Sequence, residues 1–336
     1  MQASNGWLAL STAEQLEILK AINEKMNISV SAIEKDWWVT QTLRLIFEMD
    51  IAPHIVFKGG TSLSKAWSLI ERFSEDIDLA LDRRFLGFNK PMTGSQVNKL
   101  RKVSFQYISD KFFPQLKNAF DNAGIDNVKI QLAAIKDADQ DPLIIEIYYP
   151  SLSGTNAYIQ PRVLVEIGSR SLIEPFTKKS FTSLVGEHFA NRPFADSPIT
   201  VAAVNPERTL LEKIFLLHEE FQKPFEKIRV DRLSRHLYDI EKMMDTSFKN
   251  TAFEGNKLYD HIVEHRRTLT PVRGIDYSRH SPDKINFIPP PAIIAAWQKD
   301  YEAMQESMIY GESLSFTKLM QKLRLLNDQV NAIQFK

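Results

Sequence analysis

FKGGTSLSKAWSLIERFSEDIDLAL, residues Phe57–Leu81, places a glycine pair, a short helix, an arginine-containing turn and an acidic strand within one segment. The glycine pair is Gly59-Gly60, the helix starts near Thr61, and the strand carries Asp76 and Asp78 two residues apart. Side chains alternate between the two faces of a strand, so residues i and i+2 point the same way. Ile77, Leu79 and Leu81 are expected on the core face, leaving Asp76, Asp78 and Asp82 together on the other. Carboxylates that close repel one another unless a cation or hydrogen-bond donors offset the charge. Paired hard oxygen ligands suit Mg²⁺, which bridges protein carboxylates to substrate phosphates. Glycines let backbone approach a ligand closely, and a helix N-terminus presents free N–H groups to an anion. The segment therefore predicts a metal and phosphate site.

Outward from this segment, the preceding residues read as helices. Ser11 with Glu14 forms a capping-box pattern, and Ser31 with Glu34 repeats it before a helix running to about Glu48. That helix should bury Ile33, Trp37, Thr40, Leu43 and Phe47, so its aromatic residues read as a packed face. Pro53 ends it, and His54–Phe57 is a short buried strand entering Lys58-Gly59-Gly60. Beyond the acidic strand come a loop over residues 83–100 and a helix from about Gln96 to Ala123. Three strands follow, at Val128–Ala133, Leu143–Pro150 and Arg162–Gly168. Glu166 is an acid in an otherwise apolar strand, which is costly without a partner. Beside the Asp-x-Asp strand it would be a third carboxylate of the metal site; otherwise it is an edge acid or the partner of Arg170. Glu146 has a weaker version of the same claim.

From residue 201 the pattern is helical. Asn205 and Pro206 suit the N-cap and first position of a helix to about Phe221, with Leu210, Ile214 and Leu217 as its apolar stripe. Lys213 falls on the inward side, where it must snorkel, pair or meet an anion. A basic run follows at Lys223, Lys227, Arg229, Arg232, Arg235 and His236. It reads either as an RNA-backbone footprint or as a solvated face, and Arg235 is spaced to pair with Asp239. Residues 271–291 are an irregular connection, and helices at about Ala292–Met308 and Ser315–Ile333 close the chain.

The 336 residues, 43% apolar and 25% charged, fit a soluble globular protein of two domains or of one large domain with appendages. No apolar run is long enough to span a membrane, and the N-terminus lacks the pattern of a secretory signal. With no cysteine, disulfides and thiolate zinc sites are excluded, and a cytoplasmic location is expected. Forty-two basic residues balance forty-two acidic ones, so a nucleic-acid partner would need a local basic patch. The seven histidines form no zinc spacing, and KGGTSLSK does not match a P-loop.

KGGTSLSK followed by RFSEDIDL resembles the AbiEii/AbiGii toxin family of nucleotidyltransferases, within the DNA polymerase β-like superfamily. IEKDWWVT, PERTLLEK, SRHLYDI and WQKDYEAMQESMIYG extend the resemblance over nearly the whole chain. It implies an α+β fold: a polymerase β-like core with a mixed sheet flanked by helices over residues 1–200, and a helical domain over 201–336 that completes the active site. It further implies that Lys58, Gly59, Gly60, Thr61, Ser62, Arg72, Ser74 and Lys213 hold an NTP. Asp76 and Asp78 would ligate Mg²⁺ or Mn²⁺, with Glu166 as a possible third ligand and base. Asp239 would be catalytic or nucleotide-orienting, although shorter members carry RDLYDL where this chain has His236. The implied role is an NTP-consuming toxin with tRNA, other RNA or protein as acceptor and a cognate antitoxin as partner. An NTP-binding interaction protein without turnover is the alternative, and it would not need both aspartates. A metal-dependent phosphohydrolase ranks third.

Overall fold

The computed structural model describes residues 4–74, 76–137, 139–154 and 159–335. The chain sorts into two compact units. The first runs to Trp67 and resumes from Phe73 to Val204; the second joins Ser68–Arg72 to the chain from Asn205 onward.

The first unit is built on one seven-stranded mixed sheet flanked by helices, an α+β arrangement. Its strands are β1 (Ile55–Lys58), β2 (Asp76–Leu81), β3 (Lys129–Leu132), β4 (Leu143–Tyr148), β5 (Arg162–Gly168), β6 (Phe176–Phe181) and β7 (Ile199–Val204). They lie in the order β3-β4-β5-β2-β1-β7-β6. β2 runs parallel to β5 and β1 parallel to β7; the remaining pairs are antiparallel. Alternation along β2, β4 and β5 buries Ile77, Leu79, Ile145, Ile147, Val163 and Val165 on one face and leaves the other partly open. The helices of this unit are α1 (Ser4–Leu8), α2 (Thr12–Met26), α3 (Val30–Glu48), α4 (Gly59–Lys65), α5 (Gly94–Tyr107), α6 (Phe113–Asn122) and α7 (Leu184–His188).

Helix α2 starts with the expected Ser11–Glu14 capping box. Helix α3 is capped by Ser29, whose hydroxyl accepts from the Ala32 amide, in place of the expected Ser31–Glu34 box. Glu34 is instead buried and accepts from the Leu152 amide and the Ser151 and Ser153 hydroxyls. Of the expected core positions of α3, Ile33, Trp37, Thr40 and Leu43 are buried and Phe47 is half-buried. The aromatic pair of EKDWW packs inside: Trp38 stacks on Tyr149 at 5.0 Å, and Trp37 meets Trp38 edge-on. Two strands, β6 and β7, escape the sequence pattern. FTKKSF carries two lysines on an edge strand, and the apolar ITVAAV runs straight into the cap of the next helix.

The second unit is helical: α8 (Pro206–Phe221), α9 (Ser234–Met244), α10 (Ser247–Phe253), α11 (Asn256–Leu269), α12 (Ile294–Ser307) and α13 (Phe316–Asn331). Helix α8 is its axis, packing on α9, α10 and α11. Asp300 on α12 anchors the start of α9, accepting from the Arg232 and Ser234 amides and the Ser234 hydroxyl. The 271–291 segment is irregular apart from short 3₁₀ turns. Among the described residues, no helix is long and apolar enough to cross a membrane.

Candidate active site

In the first unit, three strands bring a cation and two carboxylates into one cross-strand row. Lys58, the last residue of β1, faces Asp78 on β2, and Asp78 faces Glu166 on β5. Asp76 lies two residues along, on the same face, opposite Leu164. Since β5 lies between β4 and β2, Glu166 is not an edge acid. Arg170 belongs elsewhere, with its guanidinium on Asp141. Glu146 is held by Arg162 at 2.6 Å and by Gln131 at 2.9 Å, which accounts for it as an ion-pair partner. Asp82 falls beyond β2 and closes the next turn, accepting from the Arg84 backbone amide and guanidinium.

The pairing of Asp78 with Glu166 has an electrostatic consequence. Burial pushes the Glu166 carboxyl above its usual pKa, the Asp78 and Asp76 charges add to the rise, and Lys58 opposes it. Excess negative charge is therefore concentrated at this row.

The glycine turn presses directly on the acids. Gly59 sits at φ +80°, and a Cβ there would lie 2.1 Å from the Asp78 Oδ2. Only glycine both adopts this backbone conformation freely and leaves room for the carboxylate. Gly59 and Gly60 form the first turn of α4, whose N-cap, Lys58, makes no side-chain capping bond. Thr61 is buried and serves as a clasp: its hydroxyl donates to the Asp76 carbonyl at 2.5 Å and lies 3.0 Å from the Ser74 hydroxyl, from which it can accept. The Ser62 Oγ is enclosed without a hydrogen-bond partner, leaving an unspent donor in the glycine turn. Lys65, at the end of α4, pairs with Asp36 of α3.

In the second unit, Arg72, Lys213, His236 and Asp239 form a network of their own. Arg72 is 2% exposed and grips Asp239 with two parallel bonds of 2.7 Å, from Nε to Oδ1 and from Nη2 to Oδ2. The Lys213 Nζ lies 2.8 Å from the Asp239 Oδ2 and donates to the His236 Nδ1 at 3.4 Å. Burial alone would raise the Asp239 pKa, but Arg72 and Lys213 overcome it and hold the carboxyl well below its usual range. Burial lowers the Lys213 pKa against the pull of Asp239, and it keeps His236 neutral, with Lys213 reinforcing the effect. The expected Arg235–Asp239 pair is not made: the carboxylate turns inward to Arg72 and Lys213. Sequence spacing also missed that Arg72 is the partner of Asp239. Its segment is fixed within the second unit: the Glu71 carbonyl accepts from the Tyr310 and Gly311 amides, and the Glu71 amide donates to the Tyr238 hydroxyl.

The basic run 223–236 is partly neutralised from within. Lys223 and Arg229 both bond the buried Glu220, at 2.8 and 2.7 Å. No group of three or more His, Asp or Glu among the described residues stands ready to hold a metal by itself. The donor chemistry of the row nevertheless fits Mg²⁺, which keeps waters and substrate oxygens in its shell and needs only one or two protein carboxylates. The charge crowding on Glu166 is the kind a divalent cation would relieve.

A family model described as nucleotidyl transferase AbiEii toxin, type IV TA system, matches residues 44–322. Among solved structures, the chain is similar to MenT4, a nucleotidyltransferase toxin from Mycobacterium tuberculosis H37Rv, at 16% identity and a TM-score of 0.46. That match covers 97% of this chain and 100% of the other. A sequence search of curated proteins finds no match.

Proposed function

This chain belongs to the AbiEii family of nucleotidyltransferase toxins of type IV toxin–antitoxin systems, and from that premise we propose a Mg²⁺-dependent transfer of a nucleoside monophosphate from an NTP to an RNA or protein hydroxyl. The observation that carries the reading is the row of Lys58, Asp78 and Glu166, with Gly59 packed on the Asp78 carboxylate. An NTP-binding protein without turnover has no use for crowded acids beside its glycine turn.

In the proposed reaction the acceptor oxygen attacks the α-phosphorus, its proton passes to a base, and the bond to pyrophosphate breaks. Glu166 is suited to take that proton, because a carboxylate with a raised pKa is a better base near neutral pH. Asp76 and Asp78 would hold the divalent cation, with waters and substrate oxygens completing its shell. When bound, that cation supplies charge stabilisation to the attacking and leaving oxygens. The amides of Gly59 and Gly60 are the donors offered to phosphate. Thr61 and Ser74 act at one remove, by holding the glycine turn to the start of β2. Within the second unit, Asp239 and His236 fix the Lys213 ammonium and Arg72 fixes Asp239. The toxin would act in the cytoplasm, where NTPs and RNA are found, under the control of its cognate antitoxin.

The test is incubation with each α-labelled NTP, Mg²⁺ and total cellular RNA. Label entering RNA or protein with the wild type, and not with Asp76→Asn, is the expected result. Equal labelling by the folded variant would refute the assignment.

A further inference from the structure

The residues that follow β2 form a surface of a different kind from the rest of this charge-balanced chain. Residues 83–109 contain Arg83, Arg84, Lys90, Lys99, Arg101 and Lys102 and no acid. Two of these cations are spent: Arg84 pairs with Asp82 and Glu174, and Arg101 with Asp139. Lys90, Lys99 and Lys102 are exposed, and none has an ion-pair partner among the described residues. Lys90 and Lys99 line an open cavity of about 400 Å³ together with Leu86, Phe88, Met92 and Val103. Phe85, next in the chain to Leu86 of that cavity, is 40% exposed, stacks on His54 at 4.4 Å and is braced edge-on by Tyr107 at 5.2 Å.

We propose that this surface, built by residues 83–103 with His54 and Tyr107, docks the sugar–phosphate backbone and one base of a single-stranded segment of the acceptor RNA. The proposal rests on the nucleotidyl-transfer reading and selects RNA as the acceptor class. Free lysines and an exposed ring within one stretch of chain are the combination that single-stranded nucleic acid uses: phosphates on the lysines, a base on the ring. The surface is joined to the acidic row by β2 itself. Strand β2 ends three residues beyond Asp78, roughly 10 Å along the strand, and the basic stretch starts two residues later. A single nucleotide does not span that interval; a strand of several does. The Lys223–His236 run is the weaker surface, since Lys223 and Arg229 already share Glu220.

Fluorescence anisotropy of a labelled oligouridine, titrated at increasing KCl without NTP, tests the docking surface separately from catalysis. The variant Lys90→Glu/Lys99→Glu/Lys102→Glu should weaken binding at least tenfold at low salt. It should also flatten the log Kd–log salt slope by about 2, at roughly 0.7 per lost phosphate contact. Phe85→Ala should weaken binding about fivefold or more with the slope unchanged, as expected for loss of stacking. Unchanged affinity and slope in the triple variant would overturn the proposal. So would loss of binding in Lys227→Glu/Arg235→Glu instead, or competition by polyglutamate as effective as by unlabelled oligouridine. If the wild type binds no RNA yet still transfers label in an Asp78-dependent way, the docking surface falls and the nucleotidyl-transfer reading stands.

Discussion

Glu166 in the first unit and Asp239 in the second are both withdrawn from solvent, and their surroundings move them in opposite directions. Glu166 faces another carboxylate across the strands, so burial and the Asp78 charge raise its pKa, and Lys58 opposes them. Asp239 is met by a two-bond arginine and a lysine, and their charges outweigh its burial. One cluster therefore sets carboxylate against carboxylate, and the other is internally satisfied. Buried charge that is compensated is structural or positioning in character, whereas charge left crowded beside a glycine turn is what a cation and a phosphate would complete.

Neutralising one acid in each cluster separates the two most sharply. Asp78→Asn should cut nucleotidyl transfer by on the order of 10²–10³-fold or more, the scale of losing a preorganised electrostatic contact, with no loss of thermal stability. Asp239→Asn should act chiefly on stability, at a cost of about 3–5 kcal/mol, because Arg72 and Lys213 are left buried without their counter-charge. A carboxyl with a lowered pKa contributes stability above its ordinary range and loses it only as pH falls through the lowered value. The Asp239→Asn deficit in chemical denaturation should therefore stay constant from neutral to mildly acidic pH. A fully stable Asp239→Asn protein would erase the contrast.

Smaller effects refine the comparison within the first unit. Gly59→Ala should lose about 1–2 kcal/mol from the left-handed backbone alone, and it should impair transfer because the new methyl displaces the Asp78 carboxylate. Glu166→Gln should raise the melting temperature slightly at neutral pH while lowering activity. The sign follows from the raised pKa: ionised Glu166 penalises the fold once pH exceeds its folded-state value. The gain should disappear as pH falls below the ordinary carboxylate range. Melting curves of both proteins from pH 4 to pH 8 check this, and a destabilised variant at neutral pH would contradict it.

Much of the first unit was legible because its signals are local. The Ser11–Glu14 box, the period-two alternation of β2, β4 and β5, and the glycine turn each lie within a few residues of chain. The long-range partners were not legible. Arg72 and Asp239 are 167 residues apart, and spacing alone favoured the local Arg235. Glu166 stood open between a metal-site acid and a partner of Arg170 until the parallel register of β2 and β5 placed it opposite Asp78. Ser29 displaced Ser31 as the cap of α3 because Glu34, the other half of the expected box, is drawn to the 151–153 turn. Edge strand β6 was invisible because an edge needs lysines more than it needs alternation.

The central claim is that the crowded row is the divalent-cation site and the satisfied network is not. Mn²⁺ binding followed by electron paramagnetic resonance, with a non-hydrolysable NTP present, tests it directly. Wild-type protein and folded Asp239→Asn should both take up Mn²⁺, and Asp78→Asn should take up far less. Undiminished uptake by Asp78→Asn would contradict the account.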